Sequence, residues 1–170
     1  MNIASRFKSW LRDPLFWIGF LSVLLRLPGL AWGLPASDGW DDDGVAPRNF
    51  LVGLAQTYAP GSYFTYPPLH MLWLALLDMP VIIIALCHAP TLTQHDIIAT
   101  FIHVPYMTFF AVTARLLSLV MSVATIVLIG RLTETIAGRK AGICAAAVCA
   151  LDAALIYYGQ VSNLDGPYIR

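Results

Sequence analysis

The sequence predicts an all-α fold built as a polytopic bundle of transmembrane helices, and three observations predict it. Charged residues make up 12% of the 170-residue chain and hydrophobic ones 58%, with a mean hydropathy of +0.70. A soluble domain carries about twice that charged share, because a globule must be covered by polar surface. Apolar runs close to the length of a bilayer crossing recur along the chain, separated by short charged patches. Formal net charge is zero and no Lys/Arg stripe is present, which argues against nucleic acid as a partner. Cys87, Cys144 and Cys149, like His70, His88, His95 and His103, lack the spacing of zinc ligands and read as core residues.

The first element is PLFWIGFLSVLLRLPGLAWG, residues 14–33, preceded by Arg6, Lys8 and Arg12. A basic flank before an apolar stretch keeps the N-terminus in the cytoplasm. A cleaved signal peptide shares that start, but Arg26 interrupts the stretch and further apolar segments follow. An outer loop is expected at 34–66. Helices are then expected at 114–130 (ARLLSLVMSVATIVLIG) and at about 141–160 (AGICAAAVCALDAALIYYG). About 20 helical residues cross the hydrocarbon core at 1.5 Å each. The intervening RLTETIAGRK reads as a basic cytoplasmic loop, and the small residues of AGICAAAVCA suit close helix contact in lipid. Trp10, Trp17, Trp32, Trp40 and Trp73 fall mostly near segment ends, as an interfacial aromatic belt does.

The middle has two readings. Residues 67–89 contain Asp78 and Pro80, and residues 97–113 also contain a proline. If both basic patches are cytoplasmic, this region crosses the membrane twice or not at all. Two crossings make a hairpin with its inner turn at APTLTQHD; none means re-entrant or interfacial helices. Either choice puts the GWDDDG loop, with Asp41, Asp42 and Asp43, on the outer face together with Asp165 of SNLDGPY.

The order of landmarks resembles a known family. Arginine in RLPGL leads to an acidic motif in the first outer loop, WDDD, then to YPPLH, ARLLSLVMSVATIVL, a short basic turn, an Ala-rich helix and NLDGPY. This set, from about Arg26 to Tyr168, resembles the N-terminal part of the GT-C glycosyltransferases of the protein O-mannosyltransferase and aminoarabinose-transferase type, the PMT-like group. The resemblance implies an inverting transferase in the plasma or inner membrane. It would move a sugar from a polyprenyl-phosphate carrier to a hydroxyl of a protein or glycolipid acceptor on the non-cytoplasmic face. Members of the group are several times longer, so the resemblance also implies an incomplete chain, inactive by itself.

The family's usual acidic motif is Asp-Glu, with the aspartate as proposed catalytic base. No glutamate stands here, so either Asp41-Asp42 or Asp42-Asp43 takes the register, and Asp42 belongs to both. A carboxylate can accept the proton of the attacking hydroxyl, and three adjacent carboxylates repel one another. The competing reading is a solvated acidic loop. Asp165 would orient the acceptor or support the base; the competing reading is a turn built from Asn163, Asp165, Gly166 and Pro167.

The departing lipid phosphate needs cations or donors. Arg26 and Arg115 are the candidates, because a guanidinium fork donates two hydrogen bonds at once. Snorkelling to the headgroups is the competing fate. Arg48 either joins them or balances the acidic cluster. His70 either contacts the head group or is simply solvated. No metal site is predicted, although three aspartates could hold a divalent cation through oxygen. Asp78 and Asp152, inside apolar runs, require partners. A different class of protein, a small non-enzymatic transporter subunit or assembly factor, would use those two as an ion path.

Overall fold

Asp13 and Pro14 start the first helix. In the computed structural model, which describes residues 11–35 and 68–160, the Asp13 carboxylate accepts from the Leu15 N–H at 3.2 Å and caps α1, Pro14–Leu30. Proline at the first helical position has no N–H to leave unsatisfied. The other helices of the described residues are α2 (Pro68–His88), α3 (Gln94–Phe101), α4 (Val104–Ala137), α5 (Arg139–Leu151) and α6 (Ala153–Tyr158). No strand occurs among these residues, so the fold is all-helical there.

The inward stripe of α1 is Leu15, Gly19, Ser22 and Arg26, spaced four, three and four apart as one helix face requires. Its outward residues are Trp17, Phe20, Leu21 and Leu24, all large, apolar and exposed. Small and polar groups inside with bulky apolar groups outside reverse the pattern of a soluble helix and suit packing in lipid. Among the described residues α4 is the one helix long and apolar enough to cross a membrane. Its 34 residues extend about 51 Å at the helical rise, well beyond a hydrocarbon core of about 30 Å. Only 28% of its most apolar stretch is buried. The core helix of a soluble protein would be mostly covered. α1 and Leu72–His88 are apolar but shorter.

Helix α4 is the axis on which the rest packs. Gly19 of α1 lies against Val123 and Val127, and Leu15 lies against Gly130. Leu30 and Trp32 accept hydrogen bonds from Arg115. α1 therefore runs antiparallel to α4. On the other flank Asp78 of α2 lies beside Thr113, and Tyr106 meets His88 at 3.3 Å, so α2 is antiparallel to α4 as well. Leu74, Ala75 and Ala85 of α2 form one core with Phe101 of α3 and Phe110 and Ala114 of α4.

The turn from α4 to α5 is a single residue, Gly138, at φ 87°, where a side chain would be strained. Beyond it Gly142, Ala146 and Ala150 form the buried stripe of α5. A Cβ on Gly142 would stand 2.6 Å from the Gly130 carbonyl oxygen. The close helix contact expected of AGICAAAVCA is thus made backbone against backbone.

Several expected boundaries differ. The segments 97–113 and 114–130 are not separate: residues 104–137 form one helix, and α3 takes the start of the first. RLTETIAGRK is not a loop, because its residues continue α4 to Ala137 and open α5 at Arg139. With no proline or glycine before position 138, nothing in that stretch stops a helix. The 141–160 segment is broken at Asp152, whose carboxylate accepts from the Leu155 N–H at 2.9 Å and begins α6 anew. Parallel α1 and α2 also correct the hairpin option. The APTLTQHD turn lies toward the same end of α4 as the end of α1, whereas a hairpin with an inner turn needs it at the opposite end.

Candidate functional site

The last carbonyls of a helix have no partners within it and carry partial negative charge. At the C-terminal end of α1 these carbonyls meet Arg115, reaching in from the middle of α4. Its Nη1 donates to the Leu30 carbonyl at 2.9 Å and to the Trp32 carbonyl at 2.6 Å. Arg26, one turn before the end of α1, is fully buried. Its Nη1 donates to the Ser22 carbonyl at 3.0 Å and to the Ser22 hydroxyl, and its Nε donates to the Leu155 carbonyl at 3.3 Å. Ser122 of α4 donates to the same Leu155 oxygen at 3.3 Å. Three elements are thereby tied together by two arginines.

Two glycines make this convergence sterically feasible. A Cβ on Gly159 would lie 2.8 Å from both the Arg26 Nε and the Ser122 hydroxyl oxygen. A Cβ on Gly29 would collide with the side chain of Gln160. The ends of α1 and α6 are consequently in contact.

A cavity of about 390 Å³ opens at this end, lined by Pro28, Gly29, Trp32, Arg115, Tyr157 and Gln160. A second, of about 460 Å³, runs below it between α4 and the α5–α6 break, with Ser118, Ser122, Asp152, Tyr158 and Gly159 among its walls. The Ser118 hydroxyl and the Arg26 Nη2 are buried and have no hydrogen-bond partner among the described residues. Asp152 is close enough to act electrostatically on Arg26. An aromatic-rimmed cavity with a buried guanidinium in its wall can bind an oxyanion through charge-assisted hydrogen bonds.

The two arginines read from the sequence as phosphate ligands thus sit at one end of the bundle. Neither snorkels: each is buried and donates to a backbone carbonyl of another helix. Asp152, read as needing a partner, has one in the Leu155 N–H. His70 lies near the start of α2. Asp41, Asp42, Asp43, Arg48 and Asp165 fall outside the described residues. Among the described residues no group of three or more His, Cys, Asp or Glu side chains could hold a metal. The reading of the aspartate triplet as a cation site concerns residues beyond them.

Sequence reasoning missed Ser22, Gly159 and the Leu155 carbonyl as parts of this site. Ser22 was legible in principle, since it stands four residues before Arg26 on the same helix face. The other two carry no such signal, because they are recruited by the break at Asp152. No protein-family model, curated protein or solved structure matches the chain.

Proposed function

We propose that the chain is part of a polytopic membrane glycosyltransferase of the GT-C, PMT-like type. It transfers a sugar from a polyprenyl-phosphate carrier to an acceptor hydroxyl on the non-cytoplasmic face. The observation that carries this reading is the convergence of Arg26 and Arg115 at one end of the bundle, beside an aromatic-rimmed cavity. The described chain leaves from that same end twice, after Pro35 and after Gln160. Leu34 packs there against Met107 and Ala111, and Gln160 lies against Gly29.

Covalent reach supports the rest. At no more than about 3.6 Å per residue, Asp42 cannot be further than about 25 Å from Pro35, nor Asp165 further than about 18 Å from Gln160. In this reading both acidic segments fold back toward the arginines from those two points. The guanidiniums steady the lipid phosphate as it leaves, Asp42 takes the acceptor proton, and Asp41, Asp43 and Asp165 orient it. Arg48 contacts the donor head group. Lipid holds the carrier's tail, and the head group meets the arginines at the end of α1.

The test is Asp42→Asn expressed within the complete reading frame, assayed for sugar transfer from a polyprenyl-phosphate donor. Transfer should be lost with protein level unchanged; transfer at the wild-type rate rejects Asp42 as base. The second reading, a non-enzymatic membrane protein with an ion path, draws support from Asp78, which is fully buried. Asp152 lends it none, being used as a helix cap.

A further inference from the structure

Asp78 is the buried charge-bearing group that the proposed transfer does not use. It has no exposed surface, and it stands on α2 one turn after Leu74 and Ala75, which form a core with Phe110 and Ala114 of α4. Neither carboxyl oxygen receives a well-formed hydrogen bond among the described residues. The Thr113 hydroxyl is beside it, but that hydroxyl donates to the Phe109 carbonyl at 3.1 Å.

An ionised carboxylate can only accept hydrogen bonds, whereas a carboxylic acid brings a proton of its own. Among the described residues the hydroxyl beside Asp78 is that of Thr113, whose oxygen can accept as well as donate. The acid form can donate to the Thr113 oxygen; the buried carboxylate would have at most that one hydroxyl as donor among the described residues, a costly burial.

Among the described residues no cation is aimed at Asp78 from the elements that pack on α2. On α3, His95 and Asp96 pair with each other at the exposed N-terminal turn. On α4, His103 is at the N-cap, Tyr106 meets His88, Arg115 is turned to the α1 carbonyls, and Arg131 and Glu134 pair at the far end.

We propose that Asp78 is a proton-binding and carboxyl-modification site: the neutral acid joins α2 to α4 through Thr113, and loss of its proton releases α2. The ligand is a proton, and the reagents the site accepts are apolar carbodiimides that enter through lipid.

Two measurements test this on the full chain in membranes. Dicyclohexylcarbodiimide should label Asp78 at about pH 5 and much less at about pH 9, located by peptide mass, while a charged water-soluble carbodiimide should not label it. For the helix contact, His88→Cys and Tyr106→Cys are combined in a chain whose three native cysteines are replaced by serine. Cross-linking of that pair should fall several-fold more steeply with rising pH when position 78 is aspartate than after Asp78→Asn, which also cancels the pH dependence of the thiol chemistry. Absence of the apolar label at about pH 5, or the same cross-linking profile with and without Asp78→Asn, overturns the proposal. The labelling arm needs no variant, so a folding defect in Asp78→Asn leaves it decisive.

Discussion

Arg115 and Trp32 are joined by a hydrogen bond of 2.6 Å from the guanidinium Nη1 to the backbone carbonyl, which fixes where the chain leaves α1. The same nitrogen holds Leu30 at 2.9 Å. Arg115→Met keeps most of the volume and removes both bonds. Hydrogen bonds to a charged group contribute about 1.5–3 kcal/mol, so thermal unfolding in detergent should show a loss of about 2–3 kcal/mol. Arg115→Lys should recover part of that loss, since it restores the charge without the fork.

The α4–α5 hairpin depends on missing side chains. With a Cβ at position 142 only 2.6 Å from the Gly130 oxygen, Gly142→Val must push the helices apart. Overpacking of this kind costs about 1–3 kcal/mol, and unfolding should move accordingly. Cys144→Val, at an exposed position of the same helix, should change stability by less than about 0.5 kcal/mol.

At the opposite end Arg131 pairs with Asp13 and, at 3.0 Å, with Glu134. The arginine side chain is half exposed, so screening leaves the pair worth under about 1 kcal/mol. Asp13 has a second role as the cap of α1. Asp13→Ala should therefore cost about 1 kcal/mol, more than Arg131→Ala, whereas Asp13→Asn should keep the cap. Unfolding of the three variants in parallel separates the two roles.

The turn before α3 gives a pH signature. The Thr91 hydroxyl, then His95, hold the Asp96 carboxyl below the ordinary carboxylate range. A group whose folded value is depressed adds stability above its unfolded value, about 3.9, and that contribution disappears as pH falls through the folded value. Amide exchange over residues 91–97 should accelerate as the pH is lowered through that window, after correction for intrinsic exchange. Asp96→Asn should abolish the acceleration, and an unchanged profile in the variant would reject the link.

The sequence carried the helical class because apolar runs and the scarcity of charge leave few other folds open. Pro14 and Gly138 mark helix limits that local chemistry dictates. The continuity of α4 was hidden because Pro105 and the basic residues near 131–140 resemble boundaries, yet proline at a helix start breaks nothing. The direction of α2 was hidden for a different reason. Parity counts crossings, but only the contacts of Asp78 with Thr113 and His88 with Tyr106 reveal which way the helix runs. Of the site, both arginines were legible as charges in apolar segments. Their carbonyl partners were not, because those depend on where α1 and α6 end in space.

The central claim is that the arginine end of the bundle faces away from the cytoplasm and that both acidic segments issue from it. Single cysteines at Ser37 and Ser162, in a chain otherwise free of cysteine, report this directly in right-side-out vesicles treated with a membrane-impermeant maleimide. Both positions should be labelled without detergent. Labelling of one with protection of the other, or protection of both, contradicts the account.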